Sequence, residues 1–187
     1  ARLASDLVLR LFRWSQPCPT PGKDLHAQEI IVPGDISSAA YFIAAALMVP
    51  DSEILIKNVG INPTRDGLLR VCQDMGADIT LLNENYGNGE PTADLLVRHS
   101  ELHGVTVGGS VIPTLIDELP VVAALACFAR GTTVIRDAQE LKVKESNRID
   151  VMVNNLRAMG AHIEGTDDGM IIEGGYPLHG AIIDSHL

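Results

Sequence analysis

Between Lys142 and Arg148 the chain reads Lys-Val-Lys-Glu-Ser-Asn-Arg, three cations and one carboxylate within seven residues. Ile149, Met152, Val153, Leu156 and Met159 follow at helical spacing, and Gly160 supplies a stop. Ser146 or Asn147 caps such a helix and leaves Lys144, Glu145 and Arg148 around its N-terminus. Free backbone N–H groups and the positive end of the helix dipole suit an anionic ligand there. The bland alternative is a solvated charged turn, the usual fate of a charge run.

Two acidic turns supply further carboxylates: Gly34-Asp35-Ile36-Ser37-Ser38 and Ile116-Asp117-Glu118-Leu119-Pro120. Each follows a strand pattern and opens a helical one, where α/β units place their ligands. Asp35 and Asp117 are therefore candidates to face one cleft. Read without chemistry, both are N-caps contributing about 1 kcal/mol each, although Glu118 is also available as a cap beside Asp117. Asp117 and Glu145, with Lys144 and Arg148 nearby, have the residue types for proton shuttling on an anionic substrate. One carboxyl group acts as acid and one as base, and the cations hold the anion.

The elements that would bring these residues together repeat along the chain. Residues 1–14 have a helical period, and Ser15–Lys23, with Pro17, Pro19, Pro21 and Gly22, reads as a linker. A short strand, Glu29–Val32, precedes a buried helix over Ser37–Met48 capped by Asp35 or Ser37. Glu53–Lys57 is a strand, Thr64 caps a helix over Arg65–Met75, and Ala77–Leu82 with Asp94–Arg98 forms a hairpin. The order then recurs: a strand at Val105–Val107, a helix from Pro120 to Arg130, and a strand at Thr132–Arg136. A helix over Asn147–Met159 and a hairpin of Ala161–Glu164 with Met170–Glu173 follow. Asp35 and Asp117 lie 82 residues apart, Arg65 and Arg148 lie 83 apart, and the two Met-Gly-Ala triplets at Met75 and Met159 lie 84 apart. So constant an offset indicates an α/β (α+β) chain of repeated βαβαββ units, over residues 29–99 and 104–174, with a third beginning near residue 180.

Composition narrows the function classes. The hydrophobic fraction of 46% and charged fraction of 20% describe an ordinary globular protein, and 4% aromatic residues make its core aliphatic. A formal charge of −10 argues against a nucleic-acid partner, while a local cationic cluster can still hold small anions. The longest apolar run, Ala39–Pro50, is short of the roughly 20 residues that cross a bilayer, and neither a membrane role nor a signal peptide is expected. Cys18, Cys72 and Cys127 form no CxxC pair and fit reduced thiols in a cytoplasmic protein; Cys72 and Cys127 are core candidates and Cys18 an exposed one. The six histidines show no metal-ligand spacing, and no Walker loop or GxGxxG is present.

Val32–Ala40, Leu115–Pro120, Gly131-Thr132-Thr133 and Leu141–Ile149, in this order, resemble the EPSP synthase family, the 3-phosphoshikimate carboxyvinyltransferases, in its bacterial form. The resemblance implies an inside-out α/β barrel of the enolpyruvyl transferase type, with residues 1–22 ending a preceding domain and 23–187 forming an incomplete C-terminal domain. It implies transfer of the carboxyvinyl group of phosphoenolpyruvate to the 5-hydroxyl of shikimate 3-phosphate, without metal or organic cofactor. By resemblance, Asp117 accepts the hydroxyl proton and Glu145 protonates the enolpyruvyl carbon. Lys144 touches the shikimate moiety, and Arg148 grips phosphoenolpyruvate. Ligands from an N-terminal domain, and an Asp-His-Arg motif, are not encoded here, so the chain alone is expected to lack full activity. The sister UDP-N-acetylglucosamine enolpyruvyl transferase and a non-catalytic repeat module are the alternatives.

Overall fold

The computed structural model describes residues 31–183, apart from Asn88 and Glu145. The expected helix at residues 1–14, the linker, Cys18 and the ends of both terminal strands lie outside the described residues. Four strands and two helices per unit would follow from the sequence reading; the sheets carry that pattern with one departure, at the parallel edge of the first.

In the first unit α1 (Ile36–Met48) leads to β1 (Glu53–Gly60), α2 (Gly67–Asp74), β2 (Asp78–Asn85) and β3 (Thr92–Arg98). The sheet order is β1-β3-β2, both pairings antiparallel. Gly34 joins the free side of β1 through a parallel bridge to Val59. The second unit runs β4 (Thr106–Val107), α3 (Leu119–Phe128), β5 (Gly131–Ile135), α4 (Arg148–Ala158), β6 (His162–Gly165) and β7 (Met170–Gly174). Its order is β4-β5-β7-β6, with β4 parallel to β5 and the rest antiparallel. Gly34 thus stands where β4 stands, which makes the two sheets topologically equivalent. Of the expected strand at Glu29–Val32, Glu29 and Ile30 lie outside the described residues, Ile31 and Val32 form no strand, and the pairing falls on Gly34. Residues 181–183 form no strand, and Ile182 is fully exposed.

The core follows from the helices that are apolar almost all round. Ile36, Ala39, Ala40, Ile43, Ala44 and Leu47 of α1 are buried, as are Leu119, Val121, Val122, Leu125 and Ala126 of α3. Alanines on both surfaces let α1 and α3 approach each other, while α1 also covers β1 and β3 and α3 covers β7. Cys72 and Cys127 are in this core, and burial pushes their thiols up to about 12 and about 11, which makes them poor nucleophiles.

Two irregularities in the first sheet share one ligand. The β1 and β2 registers both shift, next to Asn58 (φ 52°) and Asn83 (φ 50°). The Asn58 N–H donates to Asp94 Oδ1 at 2.7 Å, and the Asn83 side-chain amide donates to Oδ2 at 2.8 Å. One carboxylate on the central strand therefore satisfies both bulges. The Asn83 amide first, and then the Asn58 N–H, hold Asp94 below the usual carboxylate range.

Helices α2 and α4 end identically. The Gly76 N–H bonds to Gln73 O and the Ala77 N–H to Cys72 O; Gly160 and Ala161 bond in the same way to Arg157 and Leu156. These are Schellman caps, and both glycines are left-handed, at φ 88° and 93°. The equivalence reaches further: His103 N–H donates to Met75 O, and His179 N–H donates to Met159 O. The side of each glycine that a Cβ would occupy is closed by that histidine ring, 3.0 Å away at Gly76 and 3.1 Å at Gly160. Gly160→Ala is expected to cost about 1–2 kcal/mol in urea unfolding from the left-handed strain alone. Gly180→Ala, which meets open space, is expected to stay within about 0.5 kcal/mol of the parent.

Candidate functional site

Three helices start beside one another, and each treats its unpaired N–H groups differently. At α1 the Asp35 carboxylate accepts from the Ser38 N–H and the Ser38 hydroxyl, both at 2.9 Å. At α4 Asn147 Oδ1 accepts from the Asp150 N–H at 3.3 Å, which makes Asn147 the cap of the two candidates. At α3 the cap position is Glu118, and no side chain caps it. Pro120 in the first turn has no N–H to satisfy, so this helix asks for less capping. Asp117, one residue earlier, is thereby not committed to the helix end.

Its carboxylate meets the cations instead. Arg148 Nη1 donates to Asp117 Oδ1 at 3.3 Å, and Lys144 Nζ lies 3.7 Å from the same oxygen. Among the described residues Oδ2 of Asp117 takes no hydrogen bond. Lys144 also pairs with Glu140 at 3.2 Å. Asp117, Lys144 and Arg148, separated by up to 31 residues, are therefore brought together, whereas Glu145 lies outside the described residues. Ion pairs this open to water contribute about 0–1 kcal/mol, so an incoming anion can compete for both cations. Asp117 and Arg148 border an open pocket of about 290 Å³ whose other wall includes Ser37, Ser38 and Tyr41.

The repeat carries the same pair twice, with different outcomes. Arg65, the counterpart of Arg148, lies 3.9 Å from Asp35 and donates to the Ser37 hydroxyl at 2.9 Å. The Ser37 hydroxyl in turn donates to Glu118 Oε1, and Arg65 Nη2 is 3.9 Å from that oxygen. Glu118 is 4% exposed. A turn, not a helix, carries Arg65: α2 begins at Gly67, and Thr64 gives its hydroxyl to Asn62 Oδ1 rather than capping the helix. An Asn-x-Thr segment forms this local turn in preference to a cap three residues from the first buried helical position. Ser37 and Glu118 were readable only as rival caps; nothing in their spacing signals a bond across 81 residues.

The EPSP synthase (3-phosphoshikimate 1-carboxyvinyltransferase) family model matches residues 16–187. The chain belongs to the EPSP synthase family. Proteins named 3-phosphoshikimate 1-carboxyvinyltransferase from Thermoanaerobacter sp. (strain X514) and Brevibacillus brevis are 57% and 58% identical over 166 and 164 residues. Those matches take in 89% and 88% of this chain but 39% and 38% of the relatives, so it spans about two fifths of an EPSP synthase. The solved EPSP synthase from Acinetobacter baumannii superposes with a TM-score of 0.85 at 41% identity, over 88% of this chain and 39% of that one. The enolpyruvyl transferase NikO from Streptomyces tendae, at 18% identity and TM-score 0.59 over 80% of this chain and 32% of its own, shares the fold.

Asp35 supplies a pH test of the cap. The Ser38 hydroxyl does most to hold its carboxyl below the usual range; burial opposes it, and the Ser38 and Ser37 N–H groups and the Arg65 charge add to the lowering. A folded-state value below the unfolded one stabilises above the unfolded pKa and is lost as pH falls through the folded pKa. Asp35→Ala is expected to cost about 1 kcal/mol near neutrality. In urea unfolding followed from pH 7 to pH 2, the gap to the parent is expected to narrow below the ordinary carboxylate range.

Proposed function

We propose that this chain forms part of a 3-phosphoshikimate 1-carboxyvinyltransferase, an enzyme that moves the carboxyvinyl group of phosphoenolpyruvate to the 5-hydroxyl of shikimate 3-phosphate. The observation that carries the reading is the Asp117 carboxylate set on Arg148 and Lys144 at the pocket edge, in a chain of this family. Residues 23–187 are read as an incomplete C-terminal domain of repeat units 29–99 and 104–174. A third unit begins near residue 180, and an N-terminal domain supplies the facing wall. Both substrates are small anions, and the parent enzyme is read as cytoplasmic.

In this mechanism Asp117 takes the proton of the attacking hydroxyl as its oxygen bonds to C2 of phosphoenolpyruvate. Glu145 gives a proton to C3, producing a tetrahedral adduct with a methyl group. The methyl group then returns a proton, C2–C3 regains its double bond, and the C2–O bond to phosphate breaks to release inorganic phosphate. Glu145 regains its proton from the methyl group, the proton taken by Asp117 leaves with the phosphate as hydrogenphosphate, and no oxidant or cofactor enters. Arg148 suits the carboxylate or phosphate of phosphoenolpyruvate because a planar guanidinium makes paired hydrogen bonds to such groups. Lys144 suits the shikimate 3-phosphate side as a compact point charge. The Arg148 contact also places the Asp117 carboxylate at the pocket edge, where a substrate hydroxyl arrives.

In the full-length enzyme, Asp117→Ala is expected to lower kcat by about two orders of magnitude or more, the usual loss with a general base, in an assay of phosphate release with both substrates. Unchanged turnover would remove Asp117 from the mechanism. Transfer to UDP-N-acetylglucosamine in place of shikimate 3-phosphate would overturn the substrate assignment. The 187-residue chain by itself is expected to release no phosphate at the full-length rate.

A further inference from the structure

Glu118 is a carboxylate buried where the repeat elsewhere puts an aliphatic side chain. Superimposing the acidic turns on Asp35 and Asp117 sets Glu118 opposite Ile36, and the two are 4% and 3% exposed. A buried carboxylate has to be paired, and its partners come from the other unit. Ser37 Oγ donates to Glu118 Oε1. Arg65 Nη2 donates to Ser37 Oγ at 2.9 Å and stands 3.9 Å from both Glu118 and Asp35. The first unit's arginine is thus committed to a link between units, while its counterpart Arg148 reaches Asp117 in the pocket.

Glu118 is also the residue next to Asp117. Its N–H bonds to Leu115 O at 2.9 Å, and its carbonyl accepts from the Val121 and Val122 N–H groups at 2.9 and 3.0 Å. The backbone at this point is fixed by α3, and the side chain is anchored on α1 and the Arg65 turn. Among the described residues, two ion pairs open to water hold the Asp117 carboxylate, and such pairs are weak. Its placement therefore depends on its neighbour.

The geometry points to Glu118 as a positioning residue, held by Ser37 and Arg65, that sets where the Asp117 carboxylate stands relative to Arg148. This rests on the reading of Asp117 as the base of the carboxyvinyl transfer. Losing the anchor displaces the base and leaves Lys144 and Arg148 on their own elements. The loss should therefore appear in kcat and not in substrate binding.

The test uses the full-length enzyme with Glu118→Ala, Ser37→Ala and Ser37→Thr. Glu118→Ala is expected to lower kcat tenfold or more, per folded molecule, with KM for phosphoenolpyruvate within threefold. Ser37→Ala is expected to lower kcat several-fold, and Ser37→Thr, which keeps the hydroxyl, to restore most of it. Should Glu118→Ala not fold, the serine pair decides alone: equal kcat in Ser37→Ala and parent overturns the proposal, as does a loss that Ser37→Thr fails to repair. A rise in KM that accounts for the whole effect of Glu118→Ala also overturns it. A crystal structure of Glu118→Ala separates this proposal from the functional reading. If the parent transfers no carboxyvinyl group, an Asp117–Arg148 contact lengthened from 3.3 Å still supports positioning. An unmoved contact refutes it.

Discussion

A helix that begins beside a core leaves its first N–H groups without partners, and the site is built on how that requirement is met. Asp35 meets it at α1 and Asn147 at α4. At α3 it is met by reducing the demand, because Pro120 brings no N–H. The consequence is local and chemical. A carboxylate that the repeat would otherwise spend on capping, Asp117, is turned toward Arg148 and Lys144. Had residue 120 been an ordinary amide donor, Asp117 would have had a competing partner two or three residues along.

Duplication explains the layout, and divergence between the copies explains the chemistry. Both sheets take the same strand order, both second helices end in the same Schellman cap, and both acidic turns meet an arginine. The first pair is absorbed into a bridge with Ser37 and Glu118. The second stays at an open pocket with weak, competable contacts. A charge pair whose ionic partners are easily exchanged is suited to ligands; one tied to a buried carboxylate is suited to holding units together.

The legibility of the sequence divides along the same line. Local signals carried the elements: the apolar run at Ala39 predicts a helix buried on nearly every side, and the Met-Gly-Ala triplets predict left-handed caps. Asp117, Lys144 and Arg148 were legible as a group because the repeat offset aligned one turn with another. Thr64 misled, since its hydroxyl finds Asn62 two residues back before any helix end is within reach. The Ser37–Glu118 bond was not legible, because a buried ionisable side chain depends on which distant surface closes over it. Ile31 and Val32 of the expected Glu29–Val32 strand stay unpaired while Gly34 pairs, because a parallel edge bridge needs one correctly placed residue, not an apolar run.

The paired hairpins record how much length this scaffold absorbs. From Gly76 to His103 the chain takes 27 residues, and from Gly160 to His179 it takes 19, yet each histidine returns to the same carbonyl and the same glycine. Part of the excess sits in the turn at residues 86–91, compared with 166–169, and part in longer strands. The far end of each hairpin is nevertheless tied to the loop that leads to the second helix: Glu90 accepts from the Asn62 side-chain amide, and Asp168 accepts from the Asp137 N–H. In the first hairpin that places Glu90 in one pocket with Asp35 and Arg65, so foreign sequence, a label or a purification handle grafted at this tip would be felt where the acidic turn meets its arginine.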